Sequence, residues 1–192
     1  VRDPDVRSAL VTALAQRLGQ RPHVLVPEVD VRWTVPARLD ALLVADRICG
    51  FEIKSDVDSL ARLPRQIQAY GAVVERAVLV VSERHRAAAL EAVPHWWSVW
   101  VAGLKGEHVV IRSAKRGRLN PALNPLAVST FLTREDLLHA LRSRGHAGLS
   151  SFTVDQLRQQ FTTGIAAREA VRVARSYMIE RRDWRGRSLL TA

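Results

Sequence analysis

The chain has 192 residues, 29 Lys and Arg against 19 Asp and Glu for a formal charge of +10, and a single cysteine, Cys49. That length can bury a core without covalent staples, and one cysteine excludes an internal disulfide and a cysteine-rich zinc site, so a reducing, cytoplasmic setting is expected. No apolar run nears the roughly 20 residues of a bilayer span, VRDPDVRSALVTAL lacks the parts of a secretory leader, and the positive charge points to nucleic acid, not a membrane, as partner.

Val6, Leu10, Val11, Leu14 and Leu18 recur at helical spacing before Gly19 and predict a first helix over Asp5–Leu18. His23–Val29 reads as a short strand and Trp33–Pro36 as a loop. Leu39–Ala45 and Ile48–Ile53, joined by the polar break at Ala45-Asp46-Arg47, read as a β-hairpin. Val57–Glu75 is helical in period, with Pro64 placed so that the helix must start near Asp58 or restart at Leu63. Ala77–Val81 is a continuous β-branched run suited to a strand buried on both faces. A helix over Glu83–Ala92 and strands at Trp97–Ala102 and His108–Ser113 follow, and Lys105–Gly117 is basic and partly exposed. Asn120-Pro121 and Asn124-Pro125 mark a linker. Thr133 caps a helix over Arg134–Arg142 that Gly145 ends, and Val154–Arg182 holds one or two helices interrupted at Gly164.

Asp40 and the Glu52-Ile53-Lys54 triplet carry the chemistry. Residues two apart on a strand share a face, about 6.7 Å from each other, so Glu52 and Lys54 project together while the Ile53 side chain turns to the core. Asp40, twelve residues earlier, is returned to the same place by the hairpin. Two carboxylates and a lysine at one end of a sheet are what metal-dependent phosphodiester hydrolysis requires: hard oxygen ligands, a means of activating water and a cation near the developing charge. An isolated E-x-K is ordinarily a self-neutralising pair on a solvated strand. Here the following helix adds Gln66 and Tyr70, an i,i+4 pair on one face, and Glu28 lies upstream as a further carboxylate.

Asp40, Glu52-Ile53-Lys54 and Q-x-x-x-Y together resemble the RecB-like branch of the PD-(D/E)XK nuclease superfamily, and the helix, three strands, helix, strand order is similar to its core. The string RLDALLVADRICGFEIKSDVDSLARLPRQIQAY, with VLVVSERH and VPHWW after it, also resembles a largely uncharacterised family of small standalone bacterial and phage proteins assigned to that superfamily. The likeness covers roughly Glu28 to Trp97, with a vaguer one at FLTREDLLHAL. Leu39 stands where the superfamily's name has proline. The resemblance implies an α/β, restriction-endonuclease-like fold with a central mixed sheet, residues 1–119 as its core and 120–192 as a helical C-terminal extension. It implies Mg²⁺ or Mn²⁺ at Asp40, Glu52 and Ile53, with Glu28 contributing, and Lys54 positioning or activating water, supported by Gln66 and Tyr70.

For DNA contact the candidates are Lys105, Arg112, Lys115, Arg116 and Arg118, with a second basic stretch at Arg168–Arg187, since arginine on phosphate fixes position without reading sequence. Trp96, Trp97 and Trp100 read as packing, His85, His95 and His108 as surface or loop residues without metal spacing, and Asp56 and Asp58 as helix caps ahead of the alternative that they support the site from outside its ligands. Without G-x-x-x-x-G-K-[ST], no nucleotide cofactor is expected. Oligomeric state is not legible. The alternative to a nuclease is a catalytically silent nucleic-acid-binding module of the same fold.

Overall fold

The computed structural model describes residues 1–181, 183 and 184. The elements run α1 (Asp3–Leu18), β1 (Val24–Val31), β2 (Ala37–Val44), β3 (Ile48–Lys54), α2 (Leu63–Tyr70), β4 (Arg76–Ser82), α3 (Arg86–Ala92), β5 (Ser98–Lys105), β6 (His108–Lys115), α4 (Pro125–Val128), α5 (Arg134–Arg142), α6 (Val154–Thr162) and α7 (Ala167–Glu180), with 3₁₀ turns at Glu83–His85 and Ser129–Phe131. Among the described residues the strands form one mixed sheet in chain order, β1 to β6. The β1/β2, β2/β3 and β5/β6 pairs are antiparallel, whereas β3/β4 and β4/β5 are parallel. Each parallel pair is joined by a helical crossover, α2 in the first and α3 in the second, as parallel pairing requires.

Alternation along the central strands divides the core in two. Ala77, Leu79 and Val81 of β4 and Val99 and Val101 of β5 face a large cluster that also holds Tyr70, Trp97 and the buried faces of α4 to α7. Val78 and Val80, with Phe51, Ile53 and Ala102, face a smaller cluster closed by Val6, Leu10 and Leu14 of α1. The sheet therefore lies between two helical layers, and β4 is buried on both faces as its unbroken apolar run requires. The helices after residue 120 bury Phe131, Leu137, Leu157, Phe161 and Met178 in the same cluster as the sheet.

The sequence places the strands and the main helices within a few residues. The helix after β3 is shorter than Val57–Glu75: it occupies only Leu63–Tyr70, with Pro64 in its first turn, where a proline sacrifices no intrahelical hydrogen bond. Asp58 accordingly caps no helix; its carboxylate accepts from the Ser55 amide at 2.8 Å and the Ser55 hydroxyl at 2.5 Å, fixing the turn out of β3. Asn124-Pro125, expected as linker, starts α4: the Asn124 side chain accepts from the Leu126 and Ala127 amides, and Pro125 occupies the first turn. Thr133 and Thr153 each close a capping box, on α5 and α6. Gly164, at φ 69°, separates α6 from α7.

One irregularity shapes the site. In β1, Val24 and Val26 face the large cluster, and so do Val29 and Val31; in β2, Leu42 and Val44 do, and so does Leu39. The inward parity thus reverses in both strands between the Pro27–Ala41 and Val29–Leu39 pairs, at Glu28 and Asp40. Glu28 takes φ 54°, a left-handed backbone that non-glycine residues rarely adopt. Such local reversals re-aim side chains at sheet positions where the regular ladder would hide them.

Candidate active site

Asp40 and Glu52 meet where β2 and β3 part. The β2/β3 ladder runs from Val44–Ile48 to Ala41–Phe51, so the next level sets Asp40 opposite Glu52. There the Asp40 side chain replaces a backbone partner: its Oδ2 accepts the Ile53 amide at 2.7 Å. Lys54 and Glu52 share a face at the C-terminal end of β3, each only 3% exposed, with Nζ 2.7 Å from Glu52 Oε1. The adjacent strand continues past them, Lys54 pairing with Val81.

α2 supplies the remaining groups, as the four-residue spacing requires. Gln66 Nε2 donates to Glu52 Oε1 at 2.5 Å, and the Tyr70 hydroxyl lies 2.6 Å from Glu52 Oε2 and 2.6 Å from the Arg38 carbonyl oxygen. A hydroxyl has one proton, and the carboxylate is the stronger acceptor of the two. Burial, first, and the Glu52 charge, second, push the Tyr70 hydroxyl far above its ordinary pKa, so it acts as a neutral donor. Its ring is stacked on Trp97, with centroids 5.9 Å apart and planes 12° from parallel. Trp97 is fully buried, so this packing residue also orients a side chain that grips Glu52.

Asp40 titrates far from its ordinary range. Burial raises its carboxyl, the Glu52 charge raises it further, and the Ile53 amide and Arg7 pull it partly back, leaving a pKa of about 6. Arg7 of α1 was not foreseen from the sequence. Its Nη2 lies 3.0 Å from Asp40 Oδ1 and 3.2 Å from Glu28 Oε1, and its Nε donates to Asp3 at 2.7 Å. Burial opposes the charge on Arg7, but the Asp3 and Asp40 carboxylates outweigh it and raise the guanidinium above its usual value. The Asp3/Arg7 i,i+4 spacing was the one available signal.

The structure therefore brings Asp40, Glu52, Lys54, Gln66 and Tyr70 together, with Ile53 contributing its amide while its side chain packs against α1. Glu28 stands apart: Arg7 lies between it and Asp40, and Arg38 is 3.5 Å from its other oxygen. Among the described residues no group of three or more His, Cys, Asp or Glu is gathered closely enough to hold a metal alone. The donor chemistry still fits a hard cation, because two carboxylates meet there and Gln66 Oε1, beside them, is a buried oxygen with no hydrogen-bond partner among the described residues.

The basic candidates lie elsewhere. They follow β5 and β6, separated from β3 by β4. Arg112 is bound to Glu83 at 2.5 Å, and the Lys115 ammonium reaches the Pro94 carbonyl at 3.0 Å, tying down the turn after α3. Lys105, Arg116 and Arg118 are exposed. His85, expected at the surface, is buried just beyond β4 with Nε2 unpaired among the described residues; its polar neighbours Glu83, Arg84 and Arg86 conceal that burial in the sequence. Trp96 and Trp97 are buried, and Trp100 is half-buried with the Arg17 guanidinium 4.1 Å above its ring, so all three pack. Arg182 and residues 185–187 of the second basic stretch lie outside the described residues.

Fold and site define an α/β protein with a six-stranded mixed sheet and a cluster of carboxylates, lysine, glutamine and tyrosine at the end of its third strand. The chain belongs to the bacteriophage P4 protein cII family, whose model matches residues 1–186. It is 25% identical over 146 residues to protein cII of enterobacteria phage P4, a match covering 76% of this chain and 54% of that protein, so the chain spans about half the length of this curated relative. Among solved structures it is similar to the SPO1766 protein of unknown function from Silicibacter pomeroyi, at 16% identity and a TM-score of 0.48 over 77% of this chain and 96% of that one. No described helix is long and apolar enough to cross a membrane.

Proposed function

We propose that this protein is a Mg²⁺- or Mn²⁺-dependent nuclease of the PD-(D/E)XK type that hydrolyses phosphodiester bonds, with DNA as the preferred substrate. The observation that carries this reading is the convergence of Asp40, Glu52 and Lys54 on one splayed strand pair, with Gln66 and Tyr70 aimed at the same carboxylate. Burying the Glu52 carboxylate and the Lys54 ammonium beside a half-buried Asp40 costs folding free energy that apolar residues would not, and charged groups held in this way are common where chemistry needs them. The formal charge of +10 suits a polyanionic substrate.

Asp40 and Glu52 would hold the metal through their oxygens, with any part played by Ile53 coming from its backbone. A bound Mg²⁺ or Mn²⁺ supplies Lewis-acid polarisation of the phosphate and a lowered pKa for water. Lys54 carries the positive charge that orients water and offsets the charge gathering on the phosphate. Gln66 and Tyr70 fix the Glu52 carboxylate in one orientation, which preserves the geometry that a displacement at phosphorus requires.

The test is cleavage of labelled single-stranded, double-stranded and branched DNA and of RNA, with Mg²⁺, Mn²⁺ or EDTA. Metal-dependent cleavage that disappears in Lys54→Ala supports the reading; equal behaviour of the wild type and that variant refutes it. A second reading has its own observation. All four oxygens of Asp40 and Glu52 already accept hydrogen bonds or ion pairs from the chain, as expected if the cluster only ties β2 to β3 in a silent nucleic-acid-binding module. Salt-sensitive, metal-independent binding with no cleavage of any substrate would favour it.

A further inference from the structure

A second basic site lies at the opposite end of β3. Arg47 immediately precedes that strand, and Glu52 and Lys54 end it, so the two regions are separated by about 20 Å of extended chain. Here α7 crosses the start of the sheet and leaves a cavity of about 670 Å³ lined by Arg47, Arg168, Arg172, Arg175, Glu75 and Asn120, among others. The volume is in the range of small-molecule sites, but four guanidinium groups in the lining give it an unusual charge.

Its rear wall is built. Glu75, largely buried, accepts the Ile48 amide at 2.9 Å through Oε2 and holds two arginines, Arg175 at 3.2 Å and Arg47 at 3.3 Å. Nη1 of Arg175 also donates to the Asp46 carbonyl, and among the described residues every hydrogen bond of Arg175 uses that nitrogen, which leaves the rest of the fork uncommitted there. Asn120 fixes the floor, donating to the Gly71 carbonyl at 2.7 Å and the Val74 carbonyl at 2.8 Å. At the mouth, Arg172 is paired with Glu169, whereas Arg168 is exposed and makes no ion pair among the described residues. Even with Glu169 counted, the four arginines exceed the carboxylates by two charges.

A single carboxylate between two arginines, with two more at the rim, is poorly balanced in a partly enclosed cavity, and an anion with several acceptor oxygens corrects it. We infer that this cavity binds a phosphoryl group, with Arg175, largely enclosed, and the half-exposed Arg47 both aligned by Glu75, and Arg168 and Arg172 reaching it from the exposed face of α7. The inference is independent of the nuclease reading, because no residue of the cavity belongs to the Asp40–Glu52–Lys54 cluster.

Arginine Nε–H resonances of the intact chain, followed by heteronuclear NMR, report on the site during titration with sodium phosphate against sodium chloride at matched ionic strength. A parallel titration uses a thymidine dodecanucleotide without terminal phosphates. Saturable shifts of Arg47 and Arg175 with phosphate but not chloride are expected, with affinity reduced about tenfold in Arg168→Ala/Arg172→Ala. That variant alters the exposed face of a helix and tests binding without disturbing Glu75. If the oligonucleotide also shifts these signals and phosphate displaces it, the phosphoryl group belongs to a nucleic-acid backbone; if phosphate alone does so, the ligand is a free phosphate or a small phosphorylated molecule. Both outcomes support the site. Equal response to phosphate and chloride, or unchanged affinity in the double variant, overturns it. Glu52→Gln should keep full cavity binding, so failure here and failure of the nuclease reading are distinguishable.

Discussion

Replacing Lys54 with methionine tests whether the Glu52–Lys54 contact is as desolvated as the geometry indicates. Both side chains are 3% exposed and their charged atoms are 2.7 Å apart. Removing one partner of such a pair leaves a buried charge uncompensated, at a cost of about 3–5 kcal/mol. Gln66 and Tyr70 still donate to Glu52, which places the expected loss near the lower bound, about 3 kcal/mol, and lowers Tm by about 6–12 °C for a chain of this size. Glu52→Gln alone costs less, because the Asp58 carboxylate, which the Lys54 charge already stabilises, remains as a counter-charge for the ammonium. The double variant Glu52→Gln/Lys54→Met buries no unpaired charge from this couple, and its stability should return to within about 1.5 kcal/mol of the wild type. Urea denaturation in EDTA, followed by tryptophan fluorescence, measures all four proteins and yields the coupling free energy, expected at about 2–3 kcal/mol. A coupling under about 0.5 kcal/mol, with Lys54→Met as stable as the wild type, would refute a buried pair, as that lies within the range of about 0–1 kcal/mol that exposed ion pairs contribute.

Further predictions follow from neighbouring groups. The folded-state pKa of Asp40, about 6, lies above its ordinary 3.8, so the native state binds the proton more tightly and its contribution to stability falls as pH rises from about 4 to about 6, then stays level. Denaturation of wild type and Asp40→Asn in EDTA should show that trend in their difference, and a flat difference would contradict it. If Asp40 holds the proposed metal, ligation needs its carboxylate ionised, so calorimetric Mn²⁺ affinity should rise up to about pH 6 and then level off; a pH-independent affinity would count against Asp40 as a ligand. Tyr70→Phe removes a hydrogen bond to a charged acceptor and should cost about 1.5–3 kcal/mol, measured equally at pH 7 and pH 9 because the hydroxyl stays protonated. Gly117→Ala should destabilise the fold, since a Cβ there would collide with the backbone of Trp96, Trp97 and Ser98; unchanged urea midpoints would disprove that close approach.

What the sequence disclosed of the site was local in origin. Glu52 and Lys54 share a face because strands have period two, and Gln66 and Tyr70 share one because four residues nearly complete a helical turn. Those two periodicities account for every contact to Glu52 from its own chain neighbourhood, and they hold because the helix takes the second of its two expected starts, at Leu63 rather than near Asp58. The contact between Arg7 and Asp40 has no such periodicity. It depends on how α1 lies across the sheet, a tertiary relation separated by 33 residues. The reversal at Glu28 and Asp40 was hidden for a different reason: Val-Leu-Val-Pro-Glu-Val-Asp-Val has apolar residues on both parities, so alternation does not reveal where the inward face changes.

Polar residues misled where one residue type serves two physical roles. Asn124-Pro125 has the composition of a linker, yet the same pair is a favourable helix start, with an asparagine side chain for the free amides and a proline whose missing N–H is not needed. The basic run on β6 reads as a phosphate-binding strip until its partners are placed. Arg112 is held by Glu83, 29 residues away, and Lys115 by the carbonyls of the turn after α3, which leaves Lys105, Arg116 and Arg118 as exposed cations without such a partner among the described residues. The arginines of α7 show the converse. Arg168, Arg172 and Arg175 look like one solvated helix face in sequence, but Glu75, 100 residues before Arg175, draws that face onto the start of β3. Charge composition therefore gives the sign of the surface and no more, while the buried carboxylates, Glu52 at one end of β3 and Glu75 at the other, determine which cations are held in place.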